Sequence, residues 1–108
     1  IYTEEMARVR APGVLDPVSV NIVGPTIIRY GSEEQKARFV RRILPADDVW
    51  CLGFSEPNAG SDLASLRCRA ERDGDHFVVN GQKTWSSKAH FAKWLLLLAR
   101  TDSSVAKH

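Results

Sequence analysis

The sequence predicts an α+β fold in which helices come first and an antiparallel β meander follows. Apolar residues recur at helical spacing as far as Leu44, and Pro45 stops that run. From Ser65 onward apolar and polar residues alternate, which is the period of a half-buried strand. The dipeptides Asp73-Gly74 and Asn80-Gly81 punctuate the second stretch in the manner of hairpin turns. The pattern changes between Pro45 and Val49, dividing the chain into residues 1–46 and 47–108.

Asp16-Pro17 is a helix start, a capping side chain followed by Pro at the first helical position. The stretch from Val18 to Tyr30 is strongly apolar, so most of its faces should be covered. Pro25 should kink or divide it, and Gly31 suits a C-terminal cap. Ser32-Glu33-Glu34-Gln35 is a capping box: the Ser32 hydroxyl accepts from the Gln35 N–H, and the Gln35 side chain returns to the Ser32 N–H. Glu33 and Glu34 sit in the first turn, where the helix dipole favours negative charge. Val40, Ile43 and Leu44 then form one buried stripe. Trp50 to Ser55 reads as the first strand. Ser65 to Arg72 reads as the second, with Leu66, Cys68 and Ala70 on one face and Arg67, Arg69 and Glu71 on the other. Phe77-Val78-Val79 forms the next, Gln82 to Ser86 another, and Trp94 to Arg100 the last. No internal repeat or low-complexity tract interrupts the series. Strands up to residue 100 leave open sheet edges, and the chain starts at Ile1 rather than Met. Both lead us to expect a fragment.

Composition narrows the function classes. The 108 residues are 44% apolar and 26% charged, as in an ordinary soluble globular domain. Fifteen basic and 13 acidic residues give a net charge of +2, too balanced to argue for nucleic acid or a membrane surface. Lys36, Arg38, Arg41 and Arg42 spread around the outer side of a predicted helix, a solvated face rather than an anion site. Cys51 and Cys68 match no metal spacing and read as reduced, buried fillers of an intracellular protein. The longest apolar run, Trp94 to Ala99, is far too short to span a bilayer, and no secretory signal is read in the chain.

Two loops can carry chemistry. Gly53-Phe54-Ser55-Glu56-Pro57-Asn58-Ala59-Gly60-Ser61-Asp62 follows a strand and is dense in small and hydroxyl residues. It can offer backbone N–H groups and hydroxyls to an oxygen-rich ligand. By composition alone a plain connection is the commoner explanation. Lys83-Thr84-Trp85-Ser86-Ser87 sets a Trp before two hydroxyls at a strand end. Such a group packs against a flat ring and hydrogen-bonds its edge, although a core Trp is the commoner explanation.

Together the loops resemble the acyl-CoA dehydrogenase family. The matching residues are Tyr30-Gly31-Ser32-Glu33-Glu34-Gln35-Lys36, Gly53-Phe54-Ser55-Glu56-Pro57 with Gly60-Ser61-Asp62, and Asp73-Gly74 with Val79-Asn80-Gly81-Gln82-Lys83. Trp85-Ser86-Ser87 and Leu98-Ala99-Arg100-Thr101-Asp102 complete them, in the family's order and spacing and over nearly the whole chain. The resemblance implies a helical N-terminal domain, a β-barrel middle domain and a C-terminal four-helix bundle. Residues 1–46 would be the end of the first and 47–108 the start of the second, which binds flavin and acyl-CoA. It also implies an FAD enzyme of fatty acid and lipid metabolism that oxidises the Cα–Cβ bond of an acyl-CoA thioester. In that chemistry a glutamate removes the α-proton, the β-hydrogen leaves as hydride to flavin N5, and the electrons pass to an electron-transferring flavoprotein. A homo-oligomer in the bacterial cytoplasm or mitochondrial matrix would be expected.

Carried over position by position, the resemblance implies FAD contacts from Leu52, Gly53, Phe54, Ser55, Glu56, Pro57, Gly60, Ser61, Trp85, Ser86 and Ser87. Ser55 would serve the ring, Trp85 would lie beside the isoalloxazine, and Ser87 would reach its N5 and O4 edge. Ser61 would lie near the FAD pyrophosphate and the acyl-CoA, and Gly60 would let backbone approach closely. Asn58 stands where Gly is usual, Ser55 and Ser87 replace the frequent Thr, and Lys88 stands where a small residue is common. No residue matches the family's base glutamate. Glu56 occupies a position that is structural in the family, His76 and His90 read as surface residues, and no catalytic residue is named. Residues 1–108 alone should therefore be inactive and bind FAD poorly. Two other readings stay open: an acyl-CoA oxidase or related flavin oxidase on the same scaffold, and a non-enzymatic ligand-binding module.

Overall fold

A computed structural model describes residues 2–11 and 16–106. The chain forms two compact units, Ile1–Asp47 and Asp48–His108.

The first unit is helical. Helix α1 spans Tyr2–Arg8. The next helical stretch starts where Asp16 caps it: Asp16 Oδ1 accepts from the Ser19 N–H at 3.5 Å, and Asp16 Oδ2 accepts from the Ser19 hydroxyl. Ser19–Val23 is a π turn in which the Gly24 N–H reaches back to the Ser19 carbonyl. Helix α2, Gly24–Tyr30, follows with Pro25 in its first turn. The stretch stays helical through Pro25 rather than being divided by it: the backbone is αR at Val23 and Gly24, and the wider turn before it accommodates a residue with no N–H and a bulky ring. Gly31 ends α2 with extended backbone (φ −73°, ψ 154°) rather than the left-handed conformation usual at such caps. A glycine is needed because a Cβ would lie 2.6 Å from the Ile27 carbonyl oxygen. Helix α3, Glu33–Ile43, opens with the expected reciprocal box, Ser32 N–H to Gln35 Oε1 at 2.9 Å and Gln35 N–H to Ser32 Oγ at 3.2 Å.

Val23, Ile27 and Ile43 form the core of this unit, and Ile43 packs beside Gly24. Burying Ile43 contributes about 1.5–3 kcal/mol. Leu44 departs from the expected stripe. It is 79% exposed, because it is the C-cap and the chain turns away through Ala46 at φ 58°. Ile22 of the π turn and Ile28 and Tyr30 of α2 are also exposed, so this stretch is covered on one face rather than on most.

The second unit holds the strands. Strand β1, Trp50–Gly53, pairs in parallel with β4, Trp94–Leu97, with Trp50 opposite Trp94 and Gly53 opposite Leu97. Strand β2, Arg69–Asp73, pairs antiparallel with β3, His76–Asn80, across a two-residue turn that has Gly74 at φ 60°. These are separate two-stranded sheets, and no closed barrel forms among the described residues. Helices followed by strands is therefore found as expected, but the expected single antiparallel meander is not. The first and last strands run the same way after the long excursion between them, as a parallel pair requires.

Several strand boundaries also differ, and β1 ends at Gly53 rather than Ser55. Leu63–Ser65 is a 3₁₀ turn, and β2 begins only at Arg69, because the backbone donors of Arg67 and Cys68 go to the Glu56 carboxylate instead of a ladder. Residues 82–86 form no strand. Gly81 makes no hairpin; it lies against Cys68, where a Cβ would sit 2.7 Å from the Cys68 Cα. β4 ends at Leu97, and Arg100 makes one isolated bridge to Arg69. The core here is Trp50, Cys51, Ala59, Cys68 and Ala70. Cys51 and Cys68 are both free and buried, and burial pushes the Cys51 thiol above its ordinary value. Among the described residues no helix is long and apolar enough to cross a membrane, and no side-chain cluster could hold a metal.

Candidate functional site

β1 delivers the chain into the first loop. Gly53 is buried, and a Cβ on it would lie 3.0 Å from Leu97 Cδ1 and 3.1 Å from Leu95 Cδ1, so the leucine side chains of β4 pack closely over it. Leu52, Phe54, Ser55 and Glu56 are half-buried. The loop then doubles back tightly. Glu56 N–H donates to the Ala59 carbonyl at 2.7 Å and Ala59 N–H to the Glu56 carbonyl at 3.1 Å, with Pro57 and Asn58 exposed between them. Asn58 does not have positive φ, so Asn in place of Gly costs nothing there. Gly60 and Ser61 are exposed beyond the turn, and nothing among the described residues lies within 4 Å of a Cβ built on Gly60.

The Glu56 side chain faces inward, 9% exposed. Its Oε2 accepts from the Arg67 N–H at 2.7 Å, and its Oε1 accepts from the Cys68 N–H at 2.8 Å and from Lys83 Nζ at 2.9 Å. Burial is the largest single influence and pushes its carboxyl up. The two backbone donors and Lys83 outweigh it and hold the group below its ordinary value of 4.5. This carboxylate is occupied in holding the loop, in keeping with a structural position. At the loop's other end Arg100 donates to the carbonyls of Leu66 at 2.9 Å and Ala64 at 2.6 Å.

The second loop lies against the first. Lys83 Nζ donates to the Phe54 carbonyl at 2.9 Å, and Thr84 N–H donates to the Ser55 carbonyl at 2.9 Å. Directly after these anchors Trp85 takes φ 58°, a left-handed conformation that is uncommon for a bulky residue. Its ring is displayed rather than packed: Trp85 is 91% exposed, so it is not a core Trp of this chain. Ser87 N–H turns back to the Trp85 carbonyl at 2.9 Å, and Lys88 is again left-handed at φ 67°. Ser86 is half-buried and Ser87 exposed. His76 is exposed at the β2–β3 turn, and His90 is exposed with its ring edge-on to Phe91.

The structure thus brings Ser55, Glu56, Trp85 and Ser87 into one neighbourhood through Thr84, Lys83 and the bonds just described. Gly60 and Ser61 are joined to it only along the first loop. Lys83, Thr84 and Arg100 were missed as site-building residues. The sequence signals none of their partnerships, since the groups each one holds lie 27 to 36 residues away. The features present suit a flat ligand with a polar edge. A displayed indole stands beside hydroxyls, Gly60 leaves room for close approach, and the buried Thr84 hydroxyl has no partner among the described residues.

Comparison with known proteins bears on this geometry. The sequence profile described as acyl-CoA dehydrogenase, middle domain, matches residues 51–108, and the one described as acyl-CoA dehydrogenase, N-terminal domain, matches residues 1–47. Acyl-CoA dehydrogenase IpdE1 of Mycobacterium tuberculosis is 46% identical over 107 residues, covering 99% of this chain. The chain spans 28% of that relative's length. Among solved structures, the Tcur3481-Tcur3483 steroid acyl-CoA dehydrogenase is 50% identical with a TM-score of 0.81, covering 84% of this chain and 24% of that one. A glutaryl-CoA dehydrogenase from Mycobacterium smegmatis in complex with FADH2 is 38% identical with a TM-score of 0.73, covering 78% of this chain and 22% of that one.

Proposed function

This chain belongs to the acyl-CoA dehydrogenase family of FAD-dependent oxidoreductases, and on that premise we propose that the whole protein oxidises the Cα–Cβ bond of an acyl-CoA thioester to the 2-enoyl-CoA. The observation that carries the reading is the displayed, left-handed Trp85 pinned one residue downstream of the Thr84–Ser55 hydrogen bond. FAD, when bound, supplies the hydride acceptor. Trp85 would cover one side of the ring, and Ser55 and Ser87 would donate to its polar edge. Donors fixed there stabilise negative charge as it develops, with no reorganisation at the moment of reaction. Leu52, Phe54, Pro57 and Ser86 would complete the walls, and Gly60 and Ser61 would approach the phosphate-bearing part of FAD and the thioester. The pairing with an electron-transferring flavoprotein, a homo-oligomeric state and a bacterial cytoplasmic or mitochondrial matrix location belong to the same proposal.

Trp85→Ala in the full-length holoenzyme tests it. Loss of FAD retention or a shifted flavin spectrum is expected; an unchanged spectrum with unchanged turnover removes Trp85 from the site. Turnover of a panel of acyl-CoAs under air separates the two flavin chemistries. Dependence on an added electron acceptor marks a dehydrogenase, and rapid hydrogen peroxide release marks an oxidase. The 50% identity to a steroid acyl-CoA dehydrogenase puts ring-bearing thioesters first in that panel.

A further inference from the structure

A buried ion pair joins the two loops. Glu56 and Lys83 are 9% and 10% exposed, and Lys83 Nζ lies 2.9 Å from Glu56 Oε1. Such a pair is a poor way to gain stability, since an apolar pair of similar volume commonly serves as well or better. What it supplies is directional fixing, and every polar atom of this pair is used for that. The Glu56 oxygens also take the Arg67 and Cys68 N–H groups, and the ammonium also donates to the Phe54 carbonyl. Thr84, next in the chain, is bonded to Ser55, and Trp85, next again, has the left-handed backbone. A strained conformation persists only where its surroundings over-determine it. Here those surroundings are the anchors at Lys83 and Thr84.

We infer that Glu56 and Lys83 are positioning residues: their pair locks the Ser55 loop to the tryptophan turn and so sets where the Trp85 ring stands. This rests on the reading of the two loops as the flavin site. Lys83 acts through Trp85, so its removal should matter to the flavin only while the indole is present.

A double-mutant cycle on the full-length, FAD-loaded protein tests this, with Lys83→Met, Trp85→Ala and the double variant. Apparent FAD affinity, the visible flavin spectrum, and kcat and KM for an acyl-CoA are the readouts. Lys83→Met is expected to weaken FAD binding by about tenfold, the middle of the range for coupled neighbours, and to shift the spectrum in the direction Trp85→Ala does. It should lower kcat and leave KM unaltered. The double variant should match Trp85→Ala alone. Lys83→Met with a lowered melting temperature but wild-type FAD affinity and spectrum would make the pair merely structural and overturn the inference, as would additive effects in the double variant. Should Lys83→Met not fold, Glu56→Gln is read by the same criteria. The two failures are separable: a Trp85→Ala spectrum identical to wild type sinks the flavin-site reading itself, whereas a shifted one beside an unshifted Lys83→Met sinks only the positioning role.

Discussion

Replacing Glu56 by Gln should destabilise the full-length protein by about 3 kcal/mol, the low end for breaking a buried ion pair because about a tenth of each side chain stays wet. The carboxylate accepts three hydrogen bonds, from the Arg67 N–H at 2.7 Å, the Cys68 N–H at 2.8 Å and Lys83 Nζ at 2.9 Å. Glutamine fills the same space but has one oxygen. Its NH2 must face either the Arg67 N–H or the Cys68 N–H and the Lys83 ammonium, donor against donor. Lys83 keeps only the Phe54 carbonyl of the two partners it now has, so a charge is left under-compensated in a half-dry site. In urea, with a slope steeper than the roughly 1–3 kcal/mol per molar of small proteins, a 3 kcal/mol loss lowers the midpoint by about 1 M or somewhat less at unchanged slope. Unfolding of wild type and variant followed by tryptophan fluorescence reads this directly. A midpoint lowered by less than about 0.3 M would put the pair in the class of solvent-screened surface bridges and refute the reasoning.

Other outcomes follow from the same geometry. Because Glu56 has its carboxyl held below 4.5, it contributes stability that is present above that pH and is lost as pH falls through the lower folded value. Acid titration of the wild type should show this loss below pH 4.5, and Glu56→Gln should lack it. Gly81→Ala brings a Cβ to 2.7 Å from the Cys68 Cα, where neither backbone can yield cheaply, so a loss of about 1–3 kcal/mol is expected in thermal unfolding. Gly60→Ala meets nothing among the described residues within 4 Å and should leave the apo protein within about 0.5 kcal/mol of wild type. FAD titration of that variant should nevertheless show weaker binding, and unchanged affinity would take Gly60 out of the site.

What could be read from the sequence was what local chemistry decides. The Asp16 cap, the Ser32–Gln35 box and the buried alternation of Cys68 and Ala70 each depend on residues a few positions apart. The turn at Gly74 is of the same kind. The parallel β1–β4 pairing was hidden because strand partners leave no local mark, and 82–86 looked like a strand because residue types that suit one do not reveal that no partner pairs with it. Asn80-Gly81 misled for a related reason: the glycine there answers to Cys68, not to a turn. Residues of both candidate loops could be picked out one by one. Their attachment through Glu56, Lys83 and Thr84 could not, because it crosses 27 residues with no periodicity to reveal it.

The most direct measurement is a crystal structure of the full-length protein with FAD bound. The Trp85 indole and Ser55 should both lie within about 4 Å of the isoalloxazine, with the Lys83–Glu56 bond intact beneath them. A flavin seated away from both residues would contradict the assignment of these loops.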